Sequence, residues 1–297
     1  MAGVLVPEPG VWRLRDTTIP LDLPVVMGIL NTTPDSFSDG GLYTDVDTAV
    51  AAGLEMVASG ATLVDVGGES TRPGASSVPL DEELERVVPV VRELASHGIL
   101  VSVDTSKPEV ATAAIDAGAV VVNDVTGLEN ASMRAVCSDT GAGVVLMHMQ
   151  GTPRTMQREP CYRDVVEDVS AYLSEAVLVA VAAGISDDSI VIDPGIGFGK
   201  TYEHNVELMA HLDALCVSGY PVLIGTSRKG FLGEILEPIR GATSPQERDG
   251  ATAATIALAV AAGVSILRVH NVPLAVEVAH TANAMVRKDH GEETNRT

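Results

Sequence analysis

Eight short apolar runs recur along the chain, and the segments between them carry apolar residues at helical spacing. The helical spacing is clearest after the second run, in the series Leu84, Val87, Val88, Val91 and Leu94. The apolar runs begin near residues 25, 62, 99, 119, 143, 189, 221 and 265. No linker or change in composition separates these units. The pattern predicts an α/β fold, a single (β/α)8 barrel, in preference to a doubly wound sheet.

The barrel prediction divides the chain into three parts. Residues 1–24 are predicted to form a short hairpin that covers the bottom of the barrel. Residues 25–286 form the TIM barrel itself, and residues 287–297 form a polar tail. Capping boxes, in which a hydroxyl and a carboxylate satisfy free N–H groups at a helix start, are predicted at Thr44, Ser106 and Ser244.

Composition and charge limit the partners of this protein. Apolar residues make up 46% of the chain but aromatic residues only 3%, as in aliphatic cores between parallel strands and helices. A formal net charge of −21 with no basic cluster argues against nucleic acid and anionic membranes as partners. No apolar run approaches the roughly 18 residues of a membrane span, and the cysteines have no C-x-x-C spacing. We therefore expect a soluble, cytoplasmic protein; if its substrate is anionic, its few basic residues must be concentrated at the site.

Polar or ionisable residues follow almost every apolar run directly. In a (β/α)8 barrel the carboxyl ends of the strands form one rim, and active sites lie there. The residues at these strand ends are Asn31, Asp104, Asn123, Asp124, His148, Asp193, Thr226, Ser227, Arg228, Lys229, Arg268 and His270. The second strand runs into the loop GGESTRPG. This pattern predicts that the rim is the functional site.

Five motifs, in order on strands 1, 2, 6, 7 and 8, resemble those of the dihydropteroate synthase family: NTTPDSFSDGG, DVGGESTRPG, DPGIGFGK, SRK and RVH. Five motifs in register over nearly the whole chain are far more specific than any one of them. The resemblance implies a transferase of folate biosynthesis that joins 6-hydroxymethyl-7,8-dihydropterin diphosphate to p-aminobenzoate and releases diphosphate. It also implies sulfonamides as inhibitors and a homodimer formed through the late helices.

The predicted pterin site combines carboxylates, an amide and a lysine. Asp193, in the sequence D-P-G, could simply be a turn residue. A carboxylate at this position can also accept two parallel hydrogen bonds from the pterin 2-amino and N3–H groups. Asp104 and Asn123 add an acceptor and an amide at neighbouring strand ends. By resemblance, Met147 packs beneath the pterin, and Lys229 reaches its carbonyl and lines the p-aminobenzoate pocket. From the residues alone, Lys229 could be an aldolase Schiff-base lysine, a solvated surface lysine or a ligand for a carbonyl and an anion, but an aldolase would explain none of the other motifs.

An anion site is predicted at the last strand. Arg268 and His270 alternate along the chain and therefore face the same way. With Asn31 as an oxygen ligand for Mg²⁺, they suit a metal-bound diphosphate. By resemblance, Thr71 and Arg72 also bind the diphosphate, and Arg268 also binds the pterin. Lys229, Arg268 and His270 are accordingly predicted to be catalytic.

A lid function is predicted for two glycine-rich loops, residues 29–41 and 67–74. They carry Phe37 and Pro73, which are unusual in a solvated loop. The resemblance implies that both loops close over bound diphosphate. Asp39 is predicted to be catalytic by stabilising the cation that develops at the pterin methylene. The predicted p-aminobenzoate site comprises Phe37, Thr71, Pro73, Phe198, Lys229 and Gly230.

One departure from the family pattern concerns Gly230, where many members have serine or arginine after Ser-Arg-Lys. A side-chain contact to the p-aminobenzoate carboxylate is therefore absent, although Gly230 is predicted to open a helix whose free N–H groups can hold that anion. Affinity for p-aminobenzoate and sensitivity to sulfonamides therefore do not follow from the family.

Two other functions stay open. A pterin-dependent methyltransferase would share the pterin residues but would have no use for NTTPDSF or SRK. A non-catalytic pterin-binding paralogue would be expected to lack Asp39, Phe37 or Arg72, which are all present. The sequence offers no convincing Ser/His or Cys/His pair, and substitution by ionisation requires no protein nucleophile. No role is assigned to Asp65, Glu69, His148 or Arg154.

Overall fold

The computed structural model describes residues 10–32, 42–72, 74–216 and 218–287, without the side chains of residues 42–45 and 287. Most of the first glycine-rich loop, including Phe37 and Asp39, lies outside these ranges, as do Pro73 and the tail after Arg287. The fold is therefore given for the described residues alone.

Eight parallel strands form the central sheet, as the apolar runs predict. Their bounds are β3 Val25–Asn31, β4 Leu63–Gly67, β5 Leu100–Asp104, β6 Val121–Asp124, β7 Gly143–Met147, β8 Ile190–Asp193, β9 Leu223–Ile224 and β10 Ile266–Val269. The sheet order is β8-β7-β6-β5-β4-β3-β10-β9. A parallel bridge between Ile192 and Val222 joins its two edges, with a 2.9 Å hydrogen bond from the Ile192 N–H to the Pro221 carbonyl. The predicted (β/α)8 barrel is confirmed.

Helices cover the outside of the sheet. They are α1 Leu42–Ala58, α2 Leu80–Ser96, α3 Pro108–Ala117, α4 Ala131–Thr140, α5 Val165–Ala182, α6 Tyr202–Ala210, α7 Leu212–Cys216, α8 Gly230–Arg240, α9 Asp249–Ala262 and α10 Val272–Arg287. Short 3-10 helices span Asp187–Ser189 and Gln246–Arg248. None of the helices in the described ranges is both long enough and apolar enough to cross a membrane.

The capping predictions are partly wrong. Lys107, not Ser106, is the N-cap of α3, and the hydroxyl of Thr105 accepts its backbone N–H at 3.2 Å. At Ser244 the acidic half of the box is present, since Glu247 accepts the Ser244 N–H and hydroxyl at 2.8 Å each. The third box begins at Thr44, inside α1, where the side chain is not described.

An antiparallel hairpin of β1 Val11–Leu14 and β2 Thr17–Pro20 covers the bottom of the barrel, as predicted. Trp12 and Leu14 are fully buried against residues from the lower ends of the strands, and the Trp12 indole N–H donates to the Ser189 carbonyl at 2.9 Å. This lower core contains Val25, Met27, Leu63, Val121, Val145, Val191, Leu223 and Ile266. Burial of an aliphatic side chain of this kind stabilises the fold by about 1.5–3 kcal/mol. The apolar bottom leaves only the opposite end of the barrel for polar chemistry.

Helix α2 shows how closely the periodic pattern predicted packing. Val87, Val91 and Leu94 are fully buried, as their spacing indicated. The buried face is rotated slightly from the predicted one, because Val90 and the carboxylate-bearing Glu83 are also buried. The charge of Glu83 has partners at the top of the barrel, where it bears on the site.

Candidate active site at the mouth of the barrel

The carboxyl ends of the strands bring the predicted polar residues to one rim. Strand register makes Asp104 the Cα partner of Asn123, and Met147 that of Asp193. Asn31, half-buried at the end of β3, is the Cα partner of Gly67. Three of the four lysines in the chain follow barrel strands at this end: Lys107, Lys200 and Lys229. Positive charge is therefore concentrated at the mouth, as the net charge led us to expect.

Arg268 links two buried carboxylates inside the mouth. Its Nε donates to Asp65 at 2.6 Å and its Nη2 donates to Asp104 at 2.6 Å. The amide of Asn123 also donates to Asp65, at 3.0 Å. Burial opposes the charge of Arg268, but Asp65 and Asp104 raise its pKa above the ordinary value. The guanidinium is thus a fixed cation, and Asp65 orients both Arg268 and Asn123.

One oxygen of each of these carboxylates has no partner in the described part of the chain. Oδ1 of Asp104 and Oδ1 of Asp65 are buried and receive no hydrogen bond from described groups. A buried acceptor without a donor costs about 1–3 kcal/mol. Burial raises the pKa of Asp104 to about 7, while Arg268 acts to lower it. Oδ1 of Asp104 is thus an acceptor that neither solvent nor a described donor satisfies.

Asp193 ends β8 in a tightly built turn. The Gly195 N–H donates to its Oδ1 at 2.7 Å, and the His148 N–H donates to its backbone carbonyl at 2.9 Å. Gly195 has φ of 64°, and a Cβ there would lie 1.9 Å from the His148 carbonyl oxygen, so only glycine fits. Burial raises the pKa of Asp193, and the positive charge of Lys229 opposes this. No described residue donates to Oδ2, which leaves an acceptor facing the site.

Lys229 lies beside Asp193 in a desolvated position. Its Nζ donates to the Ile196 carbonyl and lies 4.6 Å from the centre of the Phe198 ring. Burial lowers the pKa of Lys229 to about 8, although Asp193 acts to raise it. Gly230 begins α8, as predicted, with Lys229 as the N-cap. Lys229, Phe198 and the first turn of α8 thus form one wall of the mouth.

His270 forms a pair with Ser227 that the sequence did not reveal. The hydroxyl oxygen of Ser227 accepts the His270 backbone N–H at 3.1 Å and lies 2.9 Å from its Nδ1. Burial lowers the pKa of His270 to about 3, and the charges of Arg268, Arg228 and Arg72 act in the same direction. His270 is therefore a neutral hydrogen-bond donor near three arginines.

The second glycine-rich loop is tied down at its start. Lys107 donates to Glu69 of the loop and to buried Glu83 of α2, and the Thr105 hydroxyl also donates to Glu83, at 2.6 Å. Arg86 donates to the Gly68 carbonyl at 2.9 Å. Beyond these contacts Thr71 is half-buried and Arg72 exposed. The first half of this loop is thus fixed to the barrel rather than free to move as a lid.

Comparison with known proteins identifies the family. The pterin binding enzyme family matches residues 27–270. A dihydropteroate synthase of Escherichia coli K12 is 43% identical over 271 residues, 91% of this chain and 94% of that protein. The chain belongs to the pterin-binding enzyme family. A Haloferax volcanii protein named "Probable bifunctional folylpolyglutamate synthase/dihydropteroate synthase" is 46% identical over 89% of this chain, which spans 31% of that longer protein.

Solved structures of family members superpose closely. Dihydropteroate synthase of Xanthomonas albilineans with 4-aminobenzoic acid matches with a TM-score of 0.87 and 45% identity, covering 93% of this chain and 98% of that one. The Yersinia pestis enzyme in a sulfonamide drug complex matches with a TM-score of 0.86 and 43% identity, with the same coverage.

The predicted Mg²⁺ would have few protein ligands at the mouth of the barrel. The described ranges contain no group of three or more His, Cys, Asp or Glu placed to hold a metal ion. Mg²⁺ commonly takes one or two protein oxygens and completes its shell with water and substrate phosphate. The amide oxygen of Asn31, at the end of β3, is compatible with that arrangement. The role of Asn31 stays a prediction.

The sequence patterns did not predict a role for two residues of the site. Asp65 precedes the end of β4 by two positions and organises Arg268 and Asn123. Lys200 is buried, with its Nζ 2.9 Å from Nδ1 of His148 and 3.0 Å from the Phe198 carbonyl, and burial lowers its pKa to about 7. The sequence did contain two signals. Asp65 is an acidic residue inside an apolar run, and Lys200 is the last residue of DPGIGFGK.

Proposed function

We propose that this protein is a dihydropteroate synthase: it condenses 6-hydroxymethyl-7,8-dihydropterin diphosphate with p-aminobenzoate to give 7,8-dihydropteroate and diphosphate. The observation that carries the proposal is the pair of buried carboxylates, Asp104 and Asp193, which end two strands of a barrel in this family and each keep one oxygen without a described donor. The related Xanthomonas albilineans and Yersinia pestis structures, which hold 4-aminobenzoic acid and a sulfonamide drug, support the same substrate class.

Pterin recognition is assigned to the inner wall of the mouth. Asp193 accepts the 2-amino and N3–H donors, because its Oδ2 is open and Gly195 holds its Oδ1 in place. Asp104 offers a second acceptor through Oδ1. Asn123 is oriented by its bond to Asp65, and buried Met147 supplies apolar surface. This mixture of acceptors, an amide and an apolar floor matches the polar edge and flat face of a pterin.

The p-aminobenzoate site is assigned to the outer wall. Lys229 and Phe198 are adjacent on the rim, so a cation and an aromatic face meet one side of the arylamine. The first turn of α8 begins at Gly230 and presents free N–H groups that can hold a carboxylate. Thr71 of the fixed loop is the remaining described member, and Phe37 and Pro73 are assigned by prediction alone.

Diphosphate is assigned to the side of β10 and the two loops. His270 is assigned to donate through Nε2, with the Ser227 hydroxyl donating to Nδ1, and Arg72, Thr71 and Asn31 lie on neighbouring strand ends or loops. Arg268 keeps further N–H groups beyond its bonds to Asp65 and Asp104 and can donate to the anion as well. Mg²⁺, when bound, neutralises charge on the leaving diphosphate.

The proposed mechanism is substitution by ionisation. Diphosphate leaves as His270 and the arginines donate to it, which forms a resonance-stabilised pterin-methyl cation. Asp39 is assigned to stabilise this cation, and the arylamine held by Lys229 and Phe198 attacks it. The arylamine is weakly basic, so no strong general base is needed. The Ser227–His270 pair acts here by orienting a donor, because Ser227 already accepts the His270 N–H.

A single assay tests the proposal against its rivals. Purified protein with the pterin diphosphate, p-aminobenzoate and Mg²⁺ should form dihydropteroate and diphosphate in equal amounts. Neither product should accumulate when p-aminobenzoate is omitted, beyond slow hydrolysis. Pterin binding without either product would indicate a non-catalytic paralogue and would contradict the proposal. Methyl transfer from a methylated pterin would indicate the alternative enzyme.

A homodimer is proposed from the late helices. Large apolar side chains are exposed on α8, α9 and α10: Ile235, Ile239, Leu258 and Met285. Leu258 is 60% exposed and Ile239 77% exposed, and a partner copy would cover them. Light scattering should give the mass of two chains, and Leu258→Asp should give one. Leu178→Asp on α5, where Leu178 is 66% exposed, is the matched control and should leave the dimer intact.

Cytoplasmic placement is likewise a proposal. Cys137, Cys161 and Cys216 are free thiols, and burial raises the pKa of Cys137 to about 12, so that it stays protonated. Free thiols of this kind suit a reducing compartment. Fractionation of the native host cells, with the protein followed by antibody, tests the placement.

A further inference from the structure

Arg228 has a backbone conformation that a side chain seldom adopts. Its φ is 62°, in the left-handed region, and it is not glycine. It lies between Ser227, which orients His270, and Lys229, which enters the substrate site. The left-handed conformation costs free energy for a residue with a Cβ. Residues held this way cluster at functional sites where the surroundings over-determine the angle.

Three side chains at the start of α9, here called the α9 cluster (Arg248, Asp249 and Thr252), hold Arg228 in this conformation. The Thr252 hydroxyl accepts the Arg228 backbone N–H at 3.1 Å, and Arg248 Nη1 donates to the Arg228 carbonyl at 3.1 Å. Asp249 accepts two parallel hydrogen bonds from the Arg228 guanidinium, from Nε at 2.7 Å and from Nη2 at 3.0 Å. The α9 cluster thus binds the backbone N–H, the backbone carbonyl and the guanidinium of Arg228.

The same cluster reaches the loop after β10. Asn271 donates to Oδ2 of Asp249 at 2.8 Å, and it directly follows His270. Both Arg228 and Asp249 have side chains 22% exposed, so their ion pair is only partly screened by water. Asp249 therefore connects the segment that carries Lys229 with the segment that carries His270.

The geometry of Lys229 depends on the peptide that precedes it. Because Arg228 is left-handed, the chain reverses sharply after β9, and Lys229 is directed at the Ile196 carbonyl and the Phe198 ring instead of the solvent outside α8. Relaxing Arg228 to an ordinary negative φ would change the direction of Lys229 while leaving the strands and helices intact.

We propose that Arg228 and Asp249 are positioning residues of this enzyme: their bidentate ion pair holds Arg228 left-handed and so directs Lys229 into the substrate site. The kinetic part of this inference rests on the proposed function, since Lys229 acts on substrates only if the protein is a dihydropteroate synthase. The structural part does not. Neither residue needs to touch a substrate.

The test follows Lys229 itself. The chain has only four lysines, so protein labelled with ¹³C at the lysine ε-carbon gives four NMR signals, which single Lys→Arg variants assign. Lys229 should titrate with a pKa of about 8 in the parent protein. The Lys107 signal is an internal control, because Lys107 contacts Glu69 and Glu83 rather than the α9 cluster or Lys229.

Three variants separate the ion pair from the backbone angle. Arg228→Ala loses the pair but still carries the cost of a left-handed backbone. The turn should therefore relax, the pKa of Lys229 should rise towards that of a solvated lysine, and KM for p-aminobenzoate should rise about tenfold or more. Asp249→Asn should move both quantities in the same direction. Arg228→Gly should lie near the parent, within about threefold in KM, because glycine adopts the left-handed angle without cost.

The matched control is a variant that lacks a different ion pair. Asp188→Asn removes the partner of Arg13 in the hairpin at the bottom of the barrel, a pair in which Arg13 is 56% exposed, and should change neither quantity. A lower melting temperature in Arg228→Ala and Asp249→Asn with an unchanged Lys229 titration would show a purely structural role and overturn the proposal. So would equal effects of Arg228→Ala and Arg228→Gly. The titration needs no substrate, so it tests the positioning of Lys229 even if the protein makes no dihydropteroate. If Arg228→Ala fails to fold, Asp249→Asn provides the same test.

Discussion

The backbone N–H of Gly195 donates a 2.7 Å hydrogen bond to Oδ1 of Asp193. Gly195 lies in the left-handed region against the His148 carbonyl, where no side chain fits. The carboxylate is therefore held in one orientation by backbone geometry before a ligand arrives. Its second oxygen faces the mouth, which is the arrangement that the pterin edge needs.

Asp193→Asn should abolish detectable pterin binding. A neutral amide presents one acceptor and one donor where the ring edge offers two donors, and loss of one partner of a buried charged pair costs about 2–5 kcal/mol. Calorimetry with the pterin diphosphate measures this directly. Asp116→Asn, on the exposed surface of α3, is the control for a charge change alone. Near-normal pterin affinity in Asp193→Asn would exclude the assignment.

The affinity for p-aminobenzoate should fall with rising pH because of Lys229. Burial lowers the pKa of Lys229 to about 8, so the cation is present below that pH and lost above it, while the substrate carboxylate stays ionised. The dissociation constant should be flat from about pH 6.5 to 7.5 and should rise up to about tenfold per pH unit well above pH 8. Lys229→Arg stays charged and should show no such rise. The same rise in the arginine variant would assign the titration to another group.

Gly230→Ser should strengthen p-aminobenzoate binding. A Cβ at Gly230 meets no atom within 4 Å, so the added side chain is accommodated at the start of α8. One further hydrogen bond to the carboxylate contributes about 0.5–1.5 kcal/mol, a decrease in KM of about two- to tenfold. KM for the pterin diphosphate should not change. Gly230→Ala has the added carbon without the hydroxyl, and an equal gain in that variant would refute the hydrogen-bond explanation.

Sulfonamide affinity should depend on diphosphate. The rim supplies Lys229 and Phe198, whereas Phe37 and Pro73 belong to the glycine-rich loops, so about half of the pocket is predicted to form only when those loops close. Mg²⁺-diphosphate should tighten sulfonamide binding at least about tenfold, a coupling of about 1.4 kcal/mol. Linkage requires sulfonamide to tighten diphosphate binding equally. Equal affinities in titrations with and without Mg²⁺-diphosphate would mean that the pocket is preformed.

The structure changes which part of the second loop can take part in that closure. Glu69 and Gly68 are bound to Lys107 and Arg86, so the hinge of residues 67–74 lies after Glu69. The first loop is restrained at its start as well, because the N–H and the hydroxyl of Thr32 donate to the Gly67 carbonyl at 2.9 and 3.1 Å.

The fold and most of the rim were predictable because they depend on local patterns. Apolar runs followed by helical spacing define β/α units, and parallel closure then brings the strand ends together, which placed Asp104, Asn123, Asp193 and Arg268 correctly at one end of the barrel. The hairpin was predictable for the same reason, since its residues alternate between buried and exposed.

The missed features depend on contacts between residues distant in sequence. The sequence pattern predicts Glu83 to be a surface residue of α2. It is buried instead, because Lys107 and Thr105, on the loop after β5, both donate hydrogen bonds to its carboxylate, and Lys107 neutralises its charge. Asp65 likewise becomes intelligible only when Arg268, 203 residues further along, is beside it. The Ser106 capping box failed because the neighbouring Thr105 hydroxyl accepts the Lys107 N–H.

Trp12 is the only tryptophan in the chain, and it is fully buried in the hairpin that covers the bottom of the barrel. Its indole is therefore on the far side of the strands from Asp193 and Lys229. The wavelength of its intrinsic emission consequently reports on the integrity of the barrel and does not respond to occupancy of the mouth. The protein thus carries a built-in optical probe of folding, whose red shift marks unfolding of the barrel whether or not diphosphate occupies the opposite end.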